Sequence, residues 1–167
     1  NSSCAMACDA EPCNRWLTLE QASANNHSFL YDFSAVCFLT VRDIARMHTG
    51  GSKPVALIQS AWGGTRVEAW MPSSAIDKAI PTAGASPPTR AAQNNASVLY
   101  NAMVAPWDKF AVRAALWYQG EANADQKIAG VDQTQYYAAM YQSMISSWRD
   151  LKGMGDFAFM TVQLPPS

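Results

Sequence analysis

The chain has 167 residues, of which 49% are hydrophobic and only 15% charged, enough apolar material for one globular domain with a substantial core. A net charge of -1 and a pI near 6.1 leave no basic stripe for a phosphate backbone, and the longest apolar runs are broken by Arg or Pro well short of a membrane span. Nucleic acid and a membrane are therefore excluded as expected partners.

Residues 1–31 mix Cys, Asn, Ser and Pro with scattered apolar positions, the composition of an irregular segment, and a domain is expected over 32–167. Cys4, Cys8 and Cys13 cluster there, Cys37 lies in an apolar stretch, and four cysteines allow three full pairings. Their spacing is a poor match to zinc patterns, and separately no cofactor is expected. Asn1, Asn26 and Asn95 each open an N-x-S triplet. Together with the cysteines, these acceptor sites point to an oxidising, secreted or lysosomal setting.

From Asp32 the spacing of Phe33, Val36, Cys37, Val41, Ile44 and Met47 predicts a helix of about four turns, stopped by Gly50-Gly51. Pro54-Val55-Ala56-Leu57-Ile58 reads as a short strand buried on both faces. Two glycines, Gly63 and Gly64, follow, and Thr65 with Glu68 fits a capping box at a helix start that Pro72 keeps short or restarts. Residues 81–97 read as a long surface excursion. An amphipathic stretch through Val98, Leu99, Ala102 and Met103 ends at Pro106, and the run from Phe110 to Tyr118 predicts the next buried strand. Asp132 and Gln135 fit a second capping box, ahead of a helix whose one face carries Tyr136, Tyr137, Met140, Tyr141, Met144, Ile145 and Trp148. A strand over Phe157–Leu164 completes an alternation that predicts a parallel, doubly wound α/β layer lacking its first and last elements. The chain is expected to be a piece of a longer protein.

Ligands of open parallel sheets collect at the C-terminal ends of strands, where Gly63-Gly64 and the polar loop Gln119-Gly120-Glu121-Ala122-Asn123 both fall. Glycines let a backbone N–H approach a ligand closely, the requirement of an oxyanion hole; a plain tight turn is the alternative. Gln119 has an amide to offer the same oxyanion, Glu121 a carboxylate for a hydrogen-bonded network, and Asn123 a group to orient a hydroxyl, or all three form a solvated loop.

Ser60-Ala61-Trp62-Gly63-Gly64-Thr65 with Glu68-Ala69-Trp70, then Leu99-Tyr100-Asn101-Ala102-Met103, then Trp117-Tyr118-Gln119-Gly120-Glu121-Ala122-Asn123, then Trp148-Arg149, resembles the sialate O-acetylesterase branch of the SGNH hydrolases from about Ser34 to Leu164. The resemblance implies a three-layer α/β/α (flavodoxin-like) SGNH fold, here incomplete at both ends, and hydrolysis of acetyl esters on sugars by a serine nucleophile and a histidine base without a metal. It puts the oxyanion-hole glycine at Gly63-Gly64 and makes Gln119 the side-chain donor, with Glu121 and Asn123 in the same motif. Trp62, Arg66, Asn101 and Tyr118 become candidates for binding the acetylated sugar.

The family's Gly-Gln-Ser-Asn-Met type nucleophile motif has no match in residues 1–31, and its Asp-x-x-His block belongs beyond the final strand. His27, His48 and Ser60 are read as structural: Ser60 lacks a nucleophile-elbow context and neither histidine has a partner motif. The expectation is a carbohydrate O-acetylesterase region that supplies the oxyanion hole, inactive alone, with nucleophile and base contributed by flanking segments or a second chain. The alternative is a non-catalytic esterase-like subunit for carbohydrate binding or assembly.

Overall fold

A computed structural model describes residues 16–24, 33–49, 54–83, 92–124, 133–151 and 155–165. The chain divides into two compact units, Asn1–Gly63 and Gly64–Ser167.

In the first unit, helix α1 (Leu19–Ala24) opens on a reciprocal pair. The Thr18 hydroxyl accepts from the Gln21 N–H at 3.2 Å while the Gln21 side chain accepts from the Thr18 N–H at 2.9 Å, so two orphan donors are satisfied at once. Helix α2 (Ala35–Ile44) begins where the Ser34 hydroxyl accepts from the Cys37 N–H and continues into a π-helical turn, Ala45–Thr49, much as the spacing from Phe33 to Met47 predicts. The Gln59 side chain takes the Ser34 N–H, anchoring the helix start from 25 residues away. The strand expected at Pro54–Ile58 is not formed: residues 54–62 have no regular structure, and Val55 and Ile58 are 46% and 37% exposed. An apolar β-branched run supplies propensity only, and a strand needs a ladder partner, which this one lacks among the described residues.

The second unit starts with a single 3-10 turn, Val67–Trp70, and Pro72 restarts the chain as helix α3 (Ser73–Ala83), so residues 81–83 of the expected excursion are helical, while 84–91 lie outside the described residues. Short turns at Ala92–Asn94, Tyr100–Val104 and Ala105–Lys109, the last with Pro106 in its first turn, lead to strand β1 (Ala114–Trp117). A one-turn helix α4 (Glu121–Ala124), the long helix α5 (Gln133–Arg149) and strand β2 (Ala158–Thr161) follow. β1 and β2 pair in parallel, Ala114 opposite Ala158 and Trp117 opposite Thr161, which makes β1-α5-β2 a βαβ unit of the kind the alternating pattern predicts. The Asp132 cap of α5 lies outside the described residues.

Helix α5 buries one stripe, Tyr136, Met140, Met144 and Trp148, each four residues after the last, so that they stack on one face. Against it lie α3, through Ala75, Ile76 and Ala79, and the 3-10 turn. Ser143 Oγ donates to the Ala75 carbonyl at 2.7 Å and Trp148 Nε1 to the Trp70 carbonyl at 3.0 Å, so the packed surfaces are also pinned by polar bonds. Trp117 and Phe159 turn the inner face of the strand pair toward Trp148, at ring separations of 5.7 and 5.8 Å. Ala114, Ala158 and Met160 remain exposed. No helix among the described residues is long and apolar enough to cross a membrane.

The capping box expected at Thr65 and Glu68 is absent. The 3-10 turn has Arg66 at its N-cap and no side-chain cap; the Thr65 hydroxyl accepts from Trp70 Nε1 at 3.0 Å instead, and Glu68 is buried, engaged elsewhere. Long-range partners outcompete the local pairing because the turn is itself core: Val67, Glu68, Ala69 and Trp70 are all buried.

Candidate functional site

Where the second unit begins, Gly64 takes φ +72, a conformation that glycine adopts without the Cβ clash, and open space surrounds the position where a Cβ would stand. Asn94, from the 3-10 turn Ala92–Asn94, brackets the next residue: its Nδ2 donates to the Gly64 carbonyl at 3.1 Å and its Oδ1 accepts the Arg66 N–H at 2.7 Å. The backbone around Thr65 is thus fixed from both sides by one side chain.

The second loop leaves β1 at Trp117 and turns at Gly120, whose φ of +155 and carbonyl, accepting from Asn123 and Ala124 N–H groups, start α4. This turn lets Gln119 reach back. Its Nε2 donates to the Thr65 carbonyl at 2.9 Å and to Asn123 Oδ1 at 2.8 Å, joining two loops separated by 54 residues. Its Oε1 accepts from the Tyr137 hydroxyl at 2.9 Å, and that hydroxyl accepts in turn from Trp117 Nε1 at 3.2 Å. Burial pushes the Tyr137 phenol above the ordinary tyrosine range, opposed by the Trp117 hydrogen bond and reinforced by Tyr141, Glu121 and Glu68, so it stays a protonated donor at neutral pH.

Asn123 is 3% exposed and carries the network inward. Its Oδ1 also accepts the Val67 N–H at 3.0 Å, an orphan donor of the 3-10 turn, and its Nδ2 donates to Glu68 Oε2 at 3.1 Å. The other oxygen of Glu68 receives the Tyr136 hydroxyl. A carboxylate only 4% exposed is tolerable because both oxygens are hydrogen-bonded; each bond lost would leave a buried group short of a partner, at about 1–3 kcal/mol per group. The Glu68 backbone is held as well, its carbonyl accepting from Ser97 N–H at 3.0 Å; Ser97 is a buried residue at φ +65.

Of the residues singled out from the sequence, the structure brings Gln119 and Asn123 together around Thr65, immediately after Gly64. Glu121 is exposed on the first turn of α4, Asn101 is exposed with its N–H bonded to the Ser97 carbonyl, and Tyr118 is 59% exposed at the end of β1. Arg66 is half-buried at the N-cap of the 3-10 turn. Gly63 and Trp62 close the first unit, both exposed. Asn95 is exposed, whereas Asn1, Asn26, Cys4, Cys8, Cys13 and His27 lie outside the described residues; Cys37 carries a free thiol. Among the network members that escape the sequence reading are Glu68, which reads as a cap, Tyr136 and Tyr137, which read as core, and Asn94, which falls in the expected surface excursion. The available signal for the tyrosines is that a buried phenol needs a partner for its hydroxyl.

Known proteins are similar in sequence to this chain over most of its length. The family model described as carbohydrate esterase, sialic acid-specific acetylesterase matches residues 41–166. The sialate O-acetylesterases of Pongo abelii and Homo sapiens are each 31% identical to this chain over 147 residues, covering 83% of it and 26% of their own length. That of Mus musculus is 26% identical over 167 residues, covering 80% of this chain and 28% of its own. The chain spans about a quarter of the length of the curated relatives it matches. It belongs to the sialic acid-specific acetylesterase family of carbohydrate esterases.

Proposed function

We propose that this chain is the oxyanion-binding region of a serine-type carbohydrate O-acetylesterase with a three-layer α/β/α SGNH fold over residues 32–167, acting in a secreted or lysosomal setting. The exposed Ala114, Ala158 and Met160 on the outer face of the strand pair are consistent with a further layer there. In the reaction, a serine from sequence outside this chain attacks the acetyl carbonyl while a histidine takes its proton. The carbonyl π electrons move to oxygen, and the sugar hydroxyl leaves with the proton; water then releases acetate from the acyl-serine. Backbone N–H groups at Gly63-Gly64 and the side chain of Gln119 hold the oxyanion. Trp62, Arg66, Asn101 and Tyr118 contact the sugar, and Glu121 and Asn123 support the loop.

The observation that carries this reading is the bond from Gln119 Nε2 to the Thr65 carbonyl, which holds the amide beside the glycine turn. Both Nε2 hydrogens are engaged, one by Thr65 and one by Asn123, so an oxyanion must displace or share the Thr65 carbonyl. A charged acceptor forms the stronger bond, so the exchange is favourable once charge develops on the acetyl oxygen and not before.

In the full-length protein containing this chain, Gln119→Ala is expected to lower kcat for an aryl acetate and for an O-acetylated sugar by about 10²–10³-fold with KM little changed. An unchanged kcat would remove Gln119 from the reaction, whereas no turnover by the unsubstituted full-length protein would favour the non-catalytic alternative. The 167-residue chain by itself is expected to give no burst of product with an aryl acetate; a burst would place the nucleophile within it.

A further inference from the structure

A carboxamide has a donor end and an acceptor end of nearly the same shape, so which end of Gln119 faces the Thr65 turn depends on what fixes its direction. Alone, the pair Gln119 and Asn123 cannot set it: reversing both amides together preserves a bond between them. The direction must come from groups at the edges of the network that cannot reverse.

Four such groups are present. The Thr65 carbonyl, 2.9 Å from Gln119 Nε2, touches Gln119 directly; it is also the acceptor an oxyanion would displace, and in that state the direction rests on the others. The Val67 N–H is a backbone donor and meets Asn123 at 3.0 Å. The Trp117 indole N–H donates only, and meets the Tyr137 hydroxyl at 3.2 Å, which leaves that hydroxyl's own hydrogen to be shared between Gln119 Oε1 at 2.9 Å and the Gln119 backbone carbonyl at 3.1 Å. Glu68 is the acceptor at the other extreme, meeting Asn123 Nδ2 at 3.1 Å. With Glu68 accepting, Asn123 must turn its Nδ2 toward the carboxylate and its Oδ1 toward Val67 and Gln119. With that oxygen facing it, Gln119 must present Nε2, and its Oε1 is left for Tyr137.

We propose that Glu68 is a positioning residue which, acting through Asn123, fixes the donor direction of the Gln119 side chain so that its N–H groups face the Thr65 turn. The proposal rests on the esterase reading for its consequence in catalysis, since an oxyanion needs a donor at that end. Its geometrical content stands apart from that reading. Tyr136 shares the same carboxylate yet sits on the oxygen that Asn123 does not use, and so provides a control: losing its hydroxyl unsettles Glu68 without altering the Glu68 to Asn123 to Gln119 sequence of bonds.

The test uses the 15N-labelled 167-residue chain, with the Gln119 and Asn123 side-chain amides assigned by NMR. In the unsubstituted chain, cross-peaks are expected between a Gln119 Nε2 hydrogen and the Val67 amide hydrogen, which converge on Asn123 Oδ1, and between an Asn123 Nδ2 hydrogen and the Tyr136 ring. Cross-peaks from Asn123 Nδ2 hydrogens to the Val67 amide in their place would overturn the proposal without any variant. Glu68→Gln replaces the carboxylate by a group that can also donate, and is expected to shift both Gln119 amide resonances and speed their hydrogen exchange at least tenfold. Tyr136→Phe is expected to leave them in place. If Glu68→Gln folds and leaves the Gln119 resonances and exchange as they were, Glu68 does not set the direction. In the full-length protein, Glu68→Gln is expected to reduce kcat by about 10–100-fold, less than deleting the donor itself, with KM steady. Loss of the NMR effect counts against the positioning role, whereas an NMR effect together with an active Gln119→Ala protein counts against the esterase role of Gln119 alone.

Discussion

Gly64 and Gly120 both take positive φ, but an added methyl group would meet different surroundings at the two sites. At Gly64, φ +72 is the left-handed helical region and no atom lies within 4 Å of the point a Cβ would occupy, so Gly64→Ala is expected to cost about 1 kcal/mol of backbone strain and nothing more. At Gly120, φ +155 is less accessible to other residues, and the Cβ would stand 2.7 Å from Leu164 Cδ1. The leucine tip can move aside cheaply; the backbone cannot, because the Gly120 carbonyl accepts from both Asn123 and Ala124. Gly120→Ala is therefore expected to lose about 2–3 kcal/mol, read as a lower urea midpoint at unchanged slope, and to disturb the Gln119 side-chain resonances as Asn123 shifts. Equal losses at the two glycines would contradict this ranking.

At the scale of elements, α5 carries the second unit. Met144 is fully buried on its inner stripe, and Met144→Ala is expected to cost about 2–5 kcal/mol in chemical denaturation, against a change within about 0.5 kcal/mol for Gln142→Ala on the exposed side. This helix was legible because its signal is local and periodic: Tyr136, Met140, Met144 and Trp148 recur at one face whatever surrounds them. So was the βαβ connection, from two apolar runs and a helix between them. The capping pattern shows where local reading stops. Thr18-x-x-Gln21 makes the reciprocal bonds at α1, whereas Thr65-x-x-Glu68 has the same spacing and makes neither. The difference lies in partners no local window contains: Trp70 takes the threonine, and Asn123 and Tyr136, 55 and 68 residues away, take the glutamate. The same distance hid half of the candidate site. The sequence places Gln119 with the Gly63-Gly64 loop as donor to one oxyanion, but nothing in it shows the bond to the Thr65 carbonyl or marks Tyr137 as more than an apolar face. Pro54–Ile58 failed for the converse reason, since strand propensity does not supply a neighbouring ladder.

For the whole molecule, alkaline pH is the condition that most directly tests the buried phenols. Folding makes Tyr137 a weaker acid than its ordinary value of 10.0, chiefly through desolvation, and Tyr100 shifts the same way through desolvation and the nearby Asp108. A folded state that holds a proton more tightly contributes its full stability below pH 10.0 and loses it as pH rises through the elevated folded value. The unfolding free energy is expected to fall above about pH 10, and Tyr137→Phe, removing the more deeply buried of the two, should flatten that fall more than Tyr100→Phe does; identical pH profiles would refute the assignment. The tryptophans extend the reach of such measurements. Indole rings run edge-on from Trp70 to Trp117 at 6.2 Å, from Trp117 to Trp148 at 5.7 Å and from Trp148 to Trp107 at 5.9 Å. At these separations excitation passes readily from one ring to the next, so a change at one indole alters the signal of its neighbours. Trp117 is hydrogen-bonded to the tyrosine that holds Gln119. The protein thus carries its own label: a rearrangement of the Gln119 loop should register in near-ultraviolet circular dichroism and in emission, with no dye attached.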